Sequence, residues 1–176
     1  SARSLEAHYS IAGSLDADDV IDYYVTPIEL GYERLIDFDH DFVGREALAA
    51  EAEAPSRTLV TLEWADEDVV DVFASLFEDE PAKFLDLPVP WRSTSHHDAV
   101  RDGDDPVGTS MWAAYTYNER TVISLAVVDR AVADPGTELT LVWGEPDGRR
   151  NPAVERHART EISTTVAPVP YTTDNR

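Results

Sequence analysis

The sequence predicts a mostly β protein with some α-helix (α+β). Residues 54–170 are expected to form an antiparallel β-barrel or jelly roll, preceded by a mixed helical and extended segment over residues 1–53 and followed by a short tail, 171–176. Three observations carry this. Arg57-Thr58-Leu59-Val60-Thr61-Leu62-Glu63-Trp64 alternates apolar and polar side chains as a half-buried strand does. Further short β candidates follow at 107–117, 121–128, 138–143 and 159–166. Turn signals separate them at Asp102-Gly103-Asp104, Asn118-Glu119, Asp134-Pro135-Gly136 and Pro146-Asp147-Gly148. Regular short strands with turn-rich joints are the pattern of a barrel or sandwich, and no internal repeat is present.

In the leading segment, Asp16-Ala17-Asp18-Asp19 supplies a cap and acidic first-turn residues for a short helix carrying Val20, Ile21, Tyr23 and Tyr24, which Thr26-Pro27 ends. Residues 28–38 read as mixed and mainly extended. Gly44-Arg45-Glu46-Ala47-Leu48 opens a second helix running to about Glu53, and Pro55 marks the boundary with the barrel. Beyond the first strand, Asp66 is placed to cap a helix whose Val69, Val70, Val72, Phe73, Leu76 and Phe77 form one apolar stripe. The leading segment has apolar side chains (Ile11, Leu15, Ile21, Tyr24, Ile28, Leu30) with no evident partner of its own, so it is expected to pack on a neighbouring lobe or on another copy.

Composition bounds the function classes. A chain of 176 residues, 43% hydrophobic with 11 Pro and 8 Gly, is a packed globular protein. No apolar run approaches the ~20 residues that span a bilayer, and Ser1-Ala2-Arg3-Ser4 lacks an export signal, so a cytoplasmic protein without a membrane partner is expected. The absence of cysteine excludes disulfides, a thiol nucleophile and thiolate metal sites within the sequence. Thirty-five acidic residues against fourteen basic ones leave a net charge of −21, which disfavours nucleic acid. Only one basic residue, Lys83, is a lysine; a carboxylate-rich surface nearly free of ammonium groups reads as halophilic adaptation to molar salt.

Few constellations suggest chemistry. His96-His97-Asp98 and Asp39-His40-Asp41 have metal-ligand composition, but adjacent residues of an extended chain point to opposite faces. The first is therefore read as a solvated loop, the second as a turn, and no metal is expected. The glycines never cluster into a phosphate cradle, and no nucleophile elbow is present. Trp143-Gly144-Glu145-Pro146 reads as a packed strand-end corner. Met111-Trp112 and Tyr115-Thr116-Tyr117 give a strand one aromatic face, which suits a barrel core as well as a ligand pocket.

The motifs taken in order resemble a known family. Thr26-Pro27-Ile28-Glu29-Leu30-Gly31 and Asp41-Phe42-Val43-Gly44-Arg45-Glu46-Ala47-Leu48 are similar to signatures of glycine-cleavage T-proteins, the aminomethyltransferases. Val107-Gly108-Thr109-Ser110, Ile123-Ser124-Leu125-Ala126-Val127-Val128 and Pro135-Gly136-Thr137-Glu138-Leu139 resemble three motifs of that family's C-terminal barrel. Within the superfamily, Phe38-Asp39-His40-Asp41-Phe42, the stretch ending at Asp129, Trp143 to Pro146 and Val154-Glu155-Arg156-His157 look most like the tetrahydrofolate-dependent O-demethylases of vanillate and syringate.

The resemblance implies a C-terminal portion of such an enzyme, with residues 1–53 the remnant of a folate-binding lobe and 54–170 the barrel domain. It implies tetrahydrofolate as cofactor, a small methylated substrate, and an upstream lobe or separately encoded N-terminal half as partner. The family's catalytic tyrosine and folate-binding carboxylate precede the matched region, and neither Glu6 nor Tyr9 maps onto them, so no catalytic residue is expected within the chain. One wall of the folate channel is implied, from Glu29, Tyr32 and Arg34 together with Trp112 and Tyr115. Arg34 could offer paired donors to the folate's glutamate tail, or could instead be a surface arginine paired to a neighbouring Asp. The chain alone is expected to be inactive. A different class of function stays open beside this one: a non-enzymatic acidic barrel module that binds a partner protein, or a homo-oligomer formed through the leading segment.

Overall fold

A computed structural model describes residues 10–87, 94–149 and 154–172 of the 176-residue chain. Six strands close a barrel: β2 (Arg57–Trp64), β4 (Asp98–Asp102), β5 (Asp105–Thr116), β6 (Thr121–Asp129), β7 (Glu138–Trp143) and β8 (Thr160–Ala167). Their order is β2-β6-β5-β4-β7-β8, with β8 pairing back onto β2, and every neighbouring pair is antiparallel. Two helices, α1 (Arg45–Glu53) and α2 (Asp66–Ser75), and a two-stranded parallel sheet of β1 (Ser10–Ala12) with β3 (Thr94–His96) complete the fold. The expected mostly β class and antiparallel barrel are thus present. Among the described residues, no helix is long and apolar enough to cross a membrane.

The barrel interior follows from period-two alternation. Val60, Leu62 and Trp64 of β2 enter one core with Val100, Leu139, Leu141, Trp143, Ile162 and Val166. Trp64 and Trp143 meet edge-on, with centroids 5.7 Å apart. Each indole N–H has an acceptor: Trp64 Nε1 donates to Ser124 Oγ at 3.0 Å and Trp143 Nε1 to the Lys83 carbonyl at 2.7 Å. Bulges near Val100 and at Met111, where the pairing shifts, bend β4 and β5 round the barrel. Gly108 sits where β5 lies hard against β6; a Cβ there would come within 2.8 Å of the Val128 Cα.

The leading segment is anchored at two places. Ser14 is buried, its amide donating to Asp98 Oδ1 at 3.0 Å and its hydroxyl to the Val142 carbonyl at 2.7 Å. Further on, Thr26-Pro27-Ile28-Glu29-Leu30-Gly31 forms a single capped turn. Glu29 N donates to Thr26 Oγ1, Thr26 N donates to Glu29 Oε2, and Gly31 closes the turn at φ 74°. This is a reciprocal capping box with proline at the first turn position. Beyond the end of the β8 pairing, the Glu29 carbonyl takes the free Leu59 amide of β2 at 2.9 Å.

Several sequence expectations are corrected. Residues 28–38 are not extended: the capped turn is followed by a 3-10 helix at Glu33–Leu35, since Pro27 and Gly31 favour a closed turn over a strand. The cap of α2 is Ala65, not Asp66, which stands in the first turn. The α2 stripe is narrower than read, because Val72 is buried while Val70, Phe73 and Phe77 face outward. His96 and His97 are not in a solvated loop; they join β3 to β4, and His97 is buried. The helix at Val20–Tyr23 is a 3-10 turn capped by Asp19 Oδ1 on the Ile21 amide, and α1 has its expected bounds. The tail begins docked, Tyr171 donating its hydroxyl to Glu63 at 2.5 Å, and Glu6 and Tyr9 lie outside the described residues.

Candidate functional site

Of the five residues expected to line a ligand channel, Glu29 is buried and Tyr32, Arg34, Trp112 and Tyr115 stand exposed. Glu29 is buried and its carboxylate is used within the chain: Arg57 Nε donates to Oε1 at 2.5 Å and Thr26 N to Oε2 at 2.8 Å. Tyr32 and Arg34 stand exposed on the turn that follows. Arg34 forms no ion pair with a neighbouring Asp, the ion pairs among the described residues being Arg57–Glu29, Lys83–Glu145 and His40–Asp37. Trp112 is 46% exposed and Tyr115 48%. Three residues apart on β5, those two project from opposite faces. The aromatic pair on one face is instead Tyr115 with Tyr117, ring centroids 6.0 Å apart. The single aromatic face read from the sequence is therefore split, and its half-exposed rings do not belong to the core.

Asp39-His40-Asp41 lies in a turn as expected, with His40 3.8 Å from Asp37 and its ring 5.4 Å from that of Phe42.

A polar centre the sequence reading did not assemble lies at one end of the barrel. Lys83 Nζ meets Glu145 Oε1 at 3.2 Å, with side chains 6% and 0% exposed, and the ammonium sits 5.3 Å from the Trp143 ring centroid. The Glu145 amide donates to His157 Nε2 at 2.8 Å, which places the ring proton on Nδ1, directed at the Glu155 carbonyl 2.9 Å away. His157 is thereby a neutral acceptor. Gly144 makes the corner at φ 110°, where a Cβ would press on His157 and Arg159.

Asp98 and His96 complete the group. Burial pushes the Asp98 carboxyl up to about 6, with Lys83 and the Ser14 amide opposing. Burial pulls the His96 imidazole down to about 4, reinforced by Lys83, and His96 Nδ1 is a buried atom without a hydrogen-bond partner. The centre can hold or release a proton at Asp98 and joins residues 81–85 to the Trp143 corner. No three His, Asp or Glu side chains among the described residues stand ready to hold a metal. The one available sequence signal was Lys83, the sole lysine among fourteen basic residues.

A separate cleft of about 430 Å³ opens across β2, β8, β7 and β4, bounded by Glu63, Arg101, Glu138, Thr140, Ser163 and Thr165. None of the five expected residues lines it.

No protein-family model matches the chain. It is 42% identical over 171 residues to a syringate O-demethylase of Sphingobium sp., an alignment covering 96% of this chain and 37% of that protein. It is 36% identical over 160 residues to a sesamin methylene transferase of Sinomonas sp., covering 84% of this chain and 33% of the relative. A glycine cleavage system aminomethyltransferase T from Bartonella henselae superposes with a TM-score of 0.49 at 15% identity, over 84% of this chain and 32% of that one. The chain therefore spans about a third of the length of these curated relatives.

Proposed function

We propose that the chain belongs to the aminomethyltransferase superfamily of the glycine-cleavage T-protein and is the C-terminal part of a tetrahydrofolate-dependent methyl or aminomethyl transferase. The observation that carries this is 42% identity maintained over 96% of the chain with a syringate O-demethylase. A one-carbon unit bound to an aromatic oxygen is the substrate class that fits this relative and the sesamin methylene transferase together.

The residues present do not by themselves fit a folate. Glu29 is committed to Arg57, Tyr32 and Arg34 stand in the open, and Trp112 and Tyr115 face opposite ways. A tightly bound ligand of that size has most of its surface enclosed, and this set offers at most one wall. The role proposed for the chain is to supply the barrel and its docked leading segment as one side of a channel closed by an upstream folate-binding lobe.

A chimera tests the proposal: the chain replaces the matching region of the syringate O-demethylase, and tetrahydrofolate-dependent loss of the syringate methyl group is followed. Demethylation within about 100-fold of the parent is expected, a deficit of up to ~3 kcal/mol at the transition state. A folded chimera without folate-dependent demethylation would overturn the proposal.

A further inference from the structure

Phe77 is the most exposed aromatic side chain among the described residues, at 94%. It lies in the turn that ends α2, its amide donating to the Ala74 carbonyl at 3.2 Å. One turn earlier in the chain, Phe73 meets Phe84 edge-on with centroids 6.2 Å apart, and Val70, on the same helix, is also exposed. Apolar groups gathered this way on so charged a chain mark a surface that is covered in use.

Two residues further on begins a shallow cleft of about 300 Å³, bounded by Asp79, Glu80, Pro81, Arg156, His157 and Ala158. Its floor is fixed where Ala158 N donates to the Pro81 carbonyl at 2.8 Å. The two rims carry opposite charge, Asp79 and Glu80 on one and Arg156 on the other. Arg156 is ion-paired to neither of them. Knob, hole, anion and cation thus occupy one patch. A patch that carries both halves of each contact is self-complementary, which is what a two-fold interface requires. A partner bearing only a basic face would leave Arg156 opposed by like charge, and an anionic membrane would be repelled by Asp79 and Glu80.

We infer that this patch joins two copies of the chain about a two-fold axis, Phe77 of each copy entering the cleft of the other while Arg156 faces the other copy's Asp79 and Glu80. A net charge of −21 on each copy opposes the association at low salt, so the dimer forms once long-range repulsion is screened.

Sedimentation velocity on the full chain at about 0.5 M KCl, from about 1 to about 100 µM, tests this. A concentration-dependent dimer is expected. Phe77→Ser, a change at an exposed site checked by an unaltered melting midpoint, is expected to weaken it at least about tenfold, and Arg156→Glu likewise. The triple variant Asp79→Arg, Glu80→Arg with Arg156→Glu exchanges the rims and is expected to recover most of the affinity. Tyr117→Ser, an exposed aromatic on the β5–β6 turn, leaves the association unchanged. A chain that stays monomeric throughout, a Phe77→Ser variant that dimerises like the parent, or an exchange that recovers nothing would overturn the inference.

Discussion

Lys83 and Glu145, 62 positions apart in sequence, form a salt bridge of 3.2 Å that is almost fully withdrawn from water. The pair ties the segment after α2 to the corner after β7, and the Trp143 ring lies beneath the ammonium. Removing Glu145 takes the carboxylate from the Lys83 ammonium in a low-dielectric site. Glu145→Ala is expected to cost about 3–5 kcal/mol, whereas the apolar pair Lys83→Met with Glu145→Leu recovers most of that. Urea titrations of the two variants check this, and a Glu145→Ala variant as stable as the parent would contradict a stabilising role for the pair.

Asp98 and His96 give opposite pH dependences over overlapping ranges. The Asp98 carboxyl, raised from 3.8 to about 6, binds more protons folded than unfolded between those values, so its contribution to stability falls as pH rises through that window. The His96 imidazole, lowered from 6.5 to about 4, binds fewer protons folded, so its contribution rises from about pH 4 to 6.5. In the parent the two slopes offset. Asp98→Asn should leave stability that climbs with pH, and His96→Gln stability that declines. Melts between pH 4 and 7 distinguish them, and identical slopes in the two variants would contradict the assignment.

Gly108→Ala should be among the most costly small changes in the barrel. Its methyl group would meet the backbone of Val127 and Val128, neither of which can swing aside within the β5–β6 ladder. A loss of about 2–4 kcal/mol is expected. The comparison is Gly136→Ala, where the added Cβ meets nothing within 4 Å and only the φ of 93° opposes it, costing about 1 kcal/mol. Equal melting midpoints for the two variants would count against the tight β5–β6 approach.

With 35 acidic and 14 basic residues, the fold should be less stable at low salt than in molar KCl. Melting at about 0.1 M and about 2 M KCl should show a midpoint several degrees higher in the second, corresponding to ~1 kcal/mol or more. An unchanged midpoint would mean that the acidity is unrelated to salt.

Local patterns were legible and long-range polar contacts were not. The bounds of β2 and β7 match the apolar alternation of 57–64 and 138–143, because each strand buries one face in a single core. β4 escaped notice since Asp98, Arg101 and Asp102 hide its two apolar residues, and a buried aspartate makes sense only once the Ser14 amide, 84 positions away, is beside it. Glu29 was legible in a way the resemblance obscured. Thr26 followed three residues later by Glu is the sequence form of a capping box, and that is how the pair is bonded. Lys83, Glu145 and His157 come from three separate segments, and nothing local to any of them announces the meeting.

The central claim, that the chain is one side of a folate channel completed by an upstream region, is tested most directly by calorimetric titration with tetrahydrofolate of the chain alone and of its chimera with the upstream region of the syringate O-demethylase. Millimolar or undetectable binding to the chain alone is expected, no more than ~4 kcal/mol, with binding at least about 100-fold tighter to the chimera. Micromolar binding to the isolated chain, or a folded chimera that binds no better, would contradict it.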